Sequence, residues 1–157
     1  MALFLLFRIG ADRYALDSAE VAEVLPLGPV KQIPGAPEWV CGLMTRHGQP
    51  VPVIDITALA TGTPATARAS TRTALVHYRR ARDSGTQPRV LGLRLEHANE
   101  TLRCDPASFI DGGIDPTHAR YLGPVRHDPR GLIQWVHVGA LLPDAVHAIL
   151  FPASSPA

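Results

Sequence analysis

The sequence predicts an all-β protein built as small barrels or a sandwich, and three observations carry that prediction. Short apolar stretches recur along most of the chain. Turn residues punctuate them about every 8 to 12 positions, giving about ten short strands. No long helical pattern separates one stretch from the next, so the βαβ rhythm of a parallel sheet is absent. The 157 residues are 46% hydrophobic and only 18% charged, which marks a globular chain with a core of its own rather than a disordered one.

The chain opens as a β-hairpin. Leu3 to Ile9 and Arg13 to Asp17 read as strands joined by the glycine-acid turn "GAD". In the first strand Leu3, Leu5 and Phe7 point one way and Phe4 and Leu6 the other, so both faces are apolar. One face should fill a core and the other should be covered by something else. The start "MALFLLFRIG" is a strand rather than a signal sequence, because its apolar run ends at Arg8 without a basic leader or cleavage site. It is also too short to span a bilayer.

Ser18 is placed to cap a short helical turn through "AEVAEV", which Pro26 must end. "VKQIPGAPEWVCGL" reads as an extended loop leading to a turn around Trp39. After Gly48, "QPVPVIDITAL" reads as a strand whose prolines suit an edge or the start of a strand, not the middle of a sheet. Thr61 to Thr71 is a surface loop dividing two halves. "TALVHYR" and "VLGLRLEH" form the next strand pair across the loop "RARDSGTQPR", with Leu91, Leu93 and Leu95 facing inward. The prolines and glycines between Asp105 and Arg130 forbid long elements there. "GLIQWVHV" is the last strong strand, a short amphipathic helix follows at Val138 to Leu142, and residues 151–157 are expected to form a disordered tail beyond a single domain at 1–150.

The chemistry present is sparse. A formal charge of +1 does not favour nucleic acid or an acidic membrane as partner. Cys41 and Cys104 lack a CxxC pattern, which fits a reducing cytoplasm. His118, His127, His137 and His147 lie too far apart in sequence to place two metal ligands on one helix face, and there is no HExxH. No phosphate-binding glycine loop and no GxSxG elbow occurs. Cys41 reads as inert core, and Asp55, at a strand end, reads as a cap for the next turn rather than a catalytic acid. A small ligand- or metal-binding barrel using the histidines and Asp55 stays as the competing reading. The open question is "GLMTRHGQPVPVID", where Arg46, His47 and Gly48 form either a catalytic loop or a turn presenting charge to a partner.

Five blocks in order, "LFRIGADRYALD", "VAEVL", "IPGAPEWVCGLMTRHGQPVPVIDI", "VLGLRLEHANETL" and "GLIQWVHVGALL", resemble the CheW-type coupling proteins of bacterial chemosensory systems. The resemblance covers about residues 3 to 143 and is unbroken from Tyr14 to Ile56. It implies two five-stranded SH3-like barrels sharing one hydrophobic core, no enzymatic activity and no cofactor or metal. The implied partners are the regulatory domain of a CheA-type histidine kinase and the cytoplasmic tip of a methyl-accepting receptor, with the protein cytoplasmic and recruited to receptor arrays. Carried over by position, the kinase-facing surface includes Leu5, Ser18 and Val21, and an uncovered apolar face around Leu5 fits a partner site. The receptor-facing surface includes Glu23, Gly42, Arg46, His47 and Gly48.

The family usually reads "NLRG" where this chain reads Thr45-Arg46-His47-Gly48. His47 thus replaces an arginine and lacks its fork of donors, while Arg46 sits one residue early, on the opposite face of an extended segment. Glu96 and Ala98 are milder departures. Together they imply a divergent member serving an alternative pathway such as surface sensing or twitching, or one that keeps the kinase and has lost the receptor.

Overall fold

A computed structural model describes residues 1–115 and 117–153. Strands β1 (Ala2–Ile9) and β2 (Asp12–Asp17) form the expected hairpin, with Ile9 opposite Asp12. The two faces of β1 enter two different clusters. Leu5, Phe7 and Ile9 join the larger core, and Phe4 and Leu6 join a smaller one with Ala15, Cys104, Phe109 and Ile133. Leu5 itself is buried, so the apolar face expected to lie uncovered around it is packed inside the fold at that position.

Asp17, not Ser18, caps the next turn: its carboxylate accepts from the Ala19 N–H at 3.0 Å. That turn is a single 3-10 turn at Ser18–Glu20, and the rest of "AEVAEV" is strand β3 (Val21–Pro26). The reason is pairing, since alternate residues of β3 are half-buried against strand β6 (Arg72–Tyr78) while the intervening ones face water. Pro26 sits at the last position of this edge strand, where its missing N–H costs no ladder bond.

Strands β4 (Val40–Arg46) and β5 (Gln49–Asp55) make a second hairpin. Pro50 and Pro52 occupy the half of β5 that pairs only with β4, and the parallel pairing with strand β7 (Arg89–Cys104) begins at Val53. The strand expected through Leu59 stops at Asp55. Asp55 Oδ1 accepts from the Ala58 N–H at 3.0 Å and opens helix α1 (Ile56–Thr61), and its Oδ2 accepts from the Ala65 N–H at 2.9 Å.

Strand β6 (Arg72–Tyr78) is followed by the 16-residue β7 (Arg89–Cys104), with Leu91, Leu93 and Leu95 fully buried as expected. β7 pairs with β5 and β6 along its first part and with β1 along its second. Between the two parts the register with β1 shifts, and His97 adopts a positive φ of +51. This bulge bends the strand from one unit to the other. β8 (Leu122–Asp128), β9 (Gly131–Val136) and helix α2 (Asp144–Leu150) complete the fold.

The result is one five-stranded unit of β3 to β6 with the start of β7, and another of β1, β2, β8 and β9 with its end. Among the described residues nine strands do the work of ten, because β7 serves both. The 61–71 loop therefore divides nothing, since it joins α1 to β6 within one unit. The helix expected at Val138 to Leu142 is a 3-10 turn at Val138–Ala140. Phe151, expected in the tail, is buried and stacks on Tyr78 at 5.4 Å; positions 154–157 of that tail lie outside the described residues.

One ion pair ties β2 to the β8–β9 hairpin. The Arg13 guanidinium, itself buried, donates to Asp128, which also accepts from the Arg130 N–H at 3.1 Å. The Arg13 hydrogen bond, followed by that of Arg130, holds the Asp128 carboxyl below its usual range. Without Arg13 the Asp128 carboxylate keeps only Arg126, at 3.6 Å, and the Arg130 N–H, so Arg13→Met is expected to cost about 2 kcal/mol, less than for a fully buried pair because Asp128 is partly open to water. Because the folded carboxyl is the stronger acid, its contribution is present above the unfolded value of about 3.9 and is lost as pH falls through the folded one. Urea midpoints at neutral and acid pH should show that loss in the wild type and a flatter profile in Asp128→Asn.

Candidate functional site

Arg46 pairs with Gln49 across the β4–β5 hairpin, leaving His47 and Gly48 as its two loop residues. Both have positive φ, +50 and +75. Two consecutive left-handed residues match the right-handed twist of the strands, and the cost of that conformation falls on His47, since glycine adopts it freely. The turn is thus a tight two-residue tip, with His47 standing 77% exposed.

The tip does not stand alone. Arg46 Nε donates to Glu23 Oε2 at 2.7 Å, and His47 Nε2 lies 3.8 Å from Glu23 Oε1. Glu23 lies on β3, where the pairing with β6 shifts register between Val21 and Glu23. The hydrogen bond from Arg46 holds the Glu23 carboxyl below its usual range, and the same bond raises the Arg46 pKa. Arg46 therefore reaches an acidic partner, Glu23, from the last position of β4. Three of the five expected receptor-facing residues, Glu23, Arg46 and His47, meet in one exposed cluster, with Gly48 completing the turn.

Gly42 stands apart from the cluster and is buried. It lies at a register shift in β4 with a φ of +140, and the Lys31 backbone presses against it: Lys31 and Leu43 exchange hydrogen bonds of 2.8 and 2.7 Å. Its role is to let the 27–39 loop approach β4. Of the kinase-facing set, Ser18 and Val21 are half-buried where β2 passes into β3, whereas Leu5 is 8% exposed and belongs to the core.

The competing chemistry finds little support. Among the described residues no three His, Cys, Asp or Glu side chains gather to hold a metal ion. Burial pushes the Cys41 thiol up to about 11, the reverse of an activated nucleophile. Both oxygens of Asp55 are spent on backbone N–H groups. His147 Nδ1 is 2.9 Å from the Tyr78 hydroxyl, and burial lowers the imidazole pKa and pushes the phenol up to about 12. That pair closes α2 onto β6. Sequence reasoning missed the contact because 69 residues separate its members. Among the described residues no helix is long and apolar enough to cross a membrane.

The chain is similar to the scaffolding protein TtCheW from Thermoanaerobacter tengcongensis, whose crystal structure matches with a TM-score of 0.76 at 20% identity over 92% of this chain and 90% of that one. At that identity the likeness speaks for the fold, and it makes the two five-stranded units SH3-like barrels. No curated protein matches the sequence. The family model of the CheW-like domain matches residues 3–146. With nearly the whole chain inside that match and the double barrel in place, the protein belongs to the CheW-like domain family, the scaffolds of chemotaxis signalling.

Proposed function

We propose that the chain is a non-enzymatic adaptor, without cofactor or metal, that couples the cytoplasmic tip of a methyl-accepting receptor to the regulatory domain of a CheA-type histidine kinase. It works in the cytoplasm at receptor arrays. The single observation carrying this reading is the surface cluster of Glu23, Arg46 and His47 at a tight two-residue turn. An adaptor needs charge held in a fixed place, and the Glu23 contact fixes Arg46 through Nε while leaving both Nη groups for a partner's oxygen. Ser18 and Val21 form the kinase-facing surface, with Leu5 beneath them as packing.

His47 at the position of the family's usual arginine supports a receptor tip different from that of flagellar chemotaxis, and so an alternative surface-sensing or twitching pathway. Isothermal titration against the receptor tip and the kinase regulatory domain of the same genome tests the coupling. Arg46→Glu, which sets a second carboxylate against Glu23, is expected to weaken the receptor tip at least about tenfold and leave the kinase unchanged. Unchanged receptor binding would remove this surface from the adaptor reading. Restored swimming chemotaxis in a host lacking its own adaptor would argue against the alternative pathway.

A further inference from the structure

A second concentration of charge lies away from the Glu23 cluster, on other elements. The β6–β7 loop at 79–88 together with Arg89, the first residue of β7, reads "RRARDSGTQPR" and holds four of the chain's fourteen arginines and one aspartate. Between this loop and α2 runs an open cleft of about 580 Å³. Two ion pairs pin its walls together, Arg80 to Asp144 at 3.4 Å and Arg82 to Asp144 at 3.2 Å, and Arg80 also reaches Asp83 within the loop at 2.7 Å.

Two of the arginines are not neutralised. Arg79 and Arg89 have no carboxylate partner among the described residues; Arg79 Nη1 donates to the Thr86 carbonyl at 3.0 Å, and the Arg89 guanidinium lies 5.3 Å from the Phe151 ring centre. Because Tyr78 pairs with Arg89 across the sheet, Arg79 and Arg89 stand at the two feet of the loop, and both line the cleft. Ala148, Phe151 and Pro152 supply an apolar wall. The space has the size of a ligand site, but its aromatic rings are spent on each other: Tyr78 is 0% exposed and Phe151 8%, stacked 5.4 Å apart. No free ring face remains for a nucleotide base to stack on. What remains is paired guanidinium donors beside an apolar wall, which suits carboxylates flanking an aliphatic side chain.

We propose that this cleft docks an acidic peptide segment of a partner protein, with its carboxylates on Arg79 and Arg89 and an aliphatic side chain against Ala148 and Phe151. This surface is independent of the adaptor reading. The test is fluorescence anisotropy of the full chain with a fluorescein-labelled eight-residue peptide of glutamates around one central leucine, at low salt. Saturable binding is expected, weakened at least about tenfold in Arg79→Glu/Arg89→Glu. Ala148→Trp, on the exposed side of α2, fills the cleft without altering charge and is expected to give a similar loss. Arg103→Glu, on the second part of β7, is expected to bind as the wild type does. Urea midpoints close to wild type in each variant show that the loss is one of binding. Absence of saturable binding, an equal loss in Arg103→Glu, or binding that survives Ala148→Trp would overturn the proposal, the last two by reducing the effect to diffuse surface charge. Displacement of the peptide by ATP or inorganic phosphate at equal or lower concentration would overturn it in favour of a phosphate site.

Discussion

Leu5→Asp is expected to unfold the protein rather than to remove one binding contact. Leu5 is 8% exposed and packs in the larger core with Phe7, Leu16 and the inward leucines of β7. Truncating a leucine in such a place costs about 2 to 5 kcal/mol through lost burial and a residual cavity. An aspartate adds a carboxyl with no partner in an apolar site, costing several kcal/mol more or forcing it to stay protonated. The sum is comparable to the whole stability of a domain of this size, about 5 to 15 kcal/mol. Loss of near-ultraviolet circular dichroism and of a cooperative urea transition is the expected result. Val21→Asp is the informative partner experiment, because Val21 is only half-buried and should keep its fold while weakening the kinase regulatory domain. A folded Leu5→Asp would show that β1 does leave one face uncovered.

That reversal shows where sequence reading stops. The alternation in β1 was legible, and so was the apolar character of both its faces. What local pattern does not contain is the identity of the cover. A strand apolar on both sides is either central to the fold or exposed on one side, and only the path of β7 decides between them. β7 passes from β6 to β1 through the bulge at His97, and its polar second part, "HANETLRC", carries no periodic signal that it continues as strand. The same blindness misplaced the 61–71 loop as a boundary, since a chain that leaves one barrel and returns to it has no boundary along the sequence.

The candidate site was legible by half. A two-residue turn ending in glycine between two extended runs announces a tight hairpin, and the exposed tip follows from it. Glu23 as the acceptor for Arg46 depends on β3 and β4 coming together in space, across 23 residues of sequence. The displaced arginine looked unable to replace the missing one, because adjacent strand residues point to opposite faces. Its long side chain nonetheless reaches Glu23 at the end of β4, where the strand gives way to the turn. Asp55 was read correctly because capping is local, as was the inward row of Leu91, Leu93 and Leu95, whose spacing of two is itself the signal.

Gly42→Ala should be the most damaging single methyl added to the chain. A Cβ at this position would overlap the Lys31 carbonyl oxygen and lie 2.8 Å from its carbon, both backbone atoms that cannot rotate away. The backbone there has a φ of +140, which side chains other than hydrogen rarely allow. Relief requires the 27–39 loop to lift, and lifting breaks the paired hydrogen bonds between Lys31 and Leu43. Strain of about 1 to 3 kcal/mol together with two lost hydrogen bonds gives an expected cost of about 3 kcal/mol or more, a fall in Tm of about 6 to 12 °C. Gly35→Ala is the control: it also has positive φ, +85, but open space around the new methyl, so it should cost about 1 kcal/mol. Because Gly42 holds the hairpin that carries Arg46 and His47, the variant should weaken receptor-tip binding even where it remains folded, an effect transmitted through the backbone from a buried residue. A Gly42→Ala protein with the urea midpoint of wild type would show that the loop does not press on β4, and would return Gly42 to the list of surface contacts.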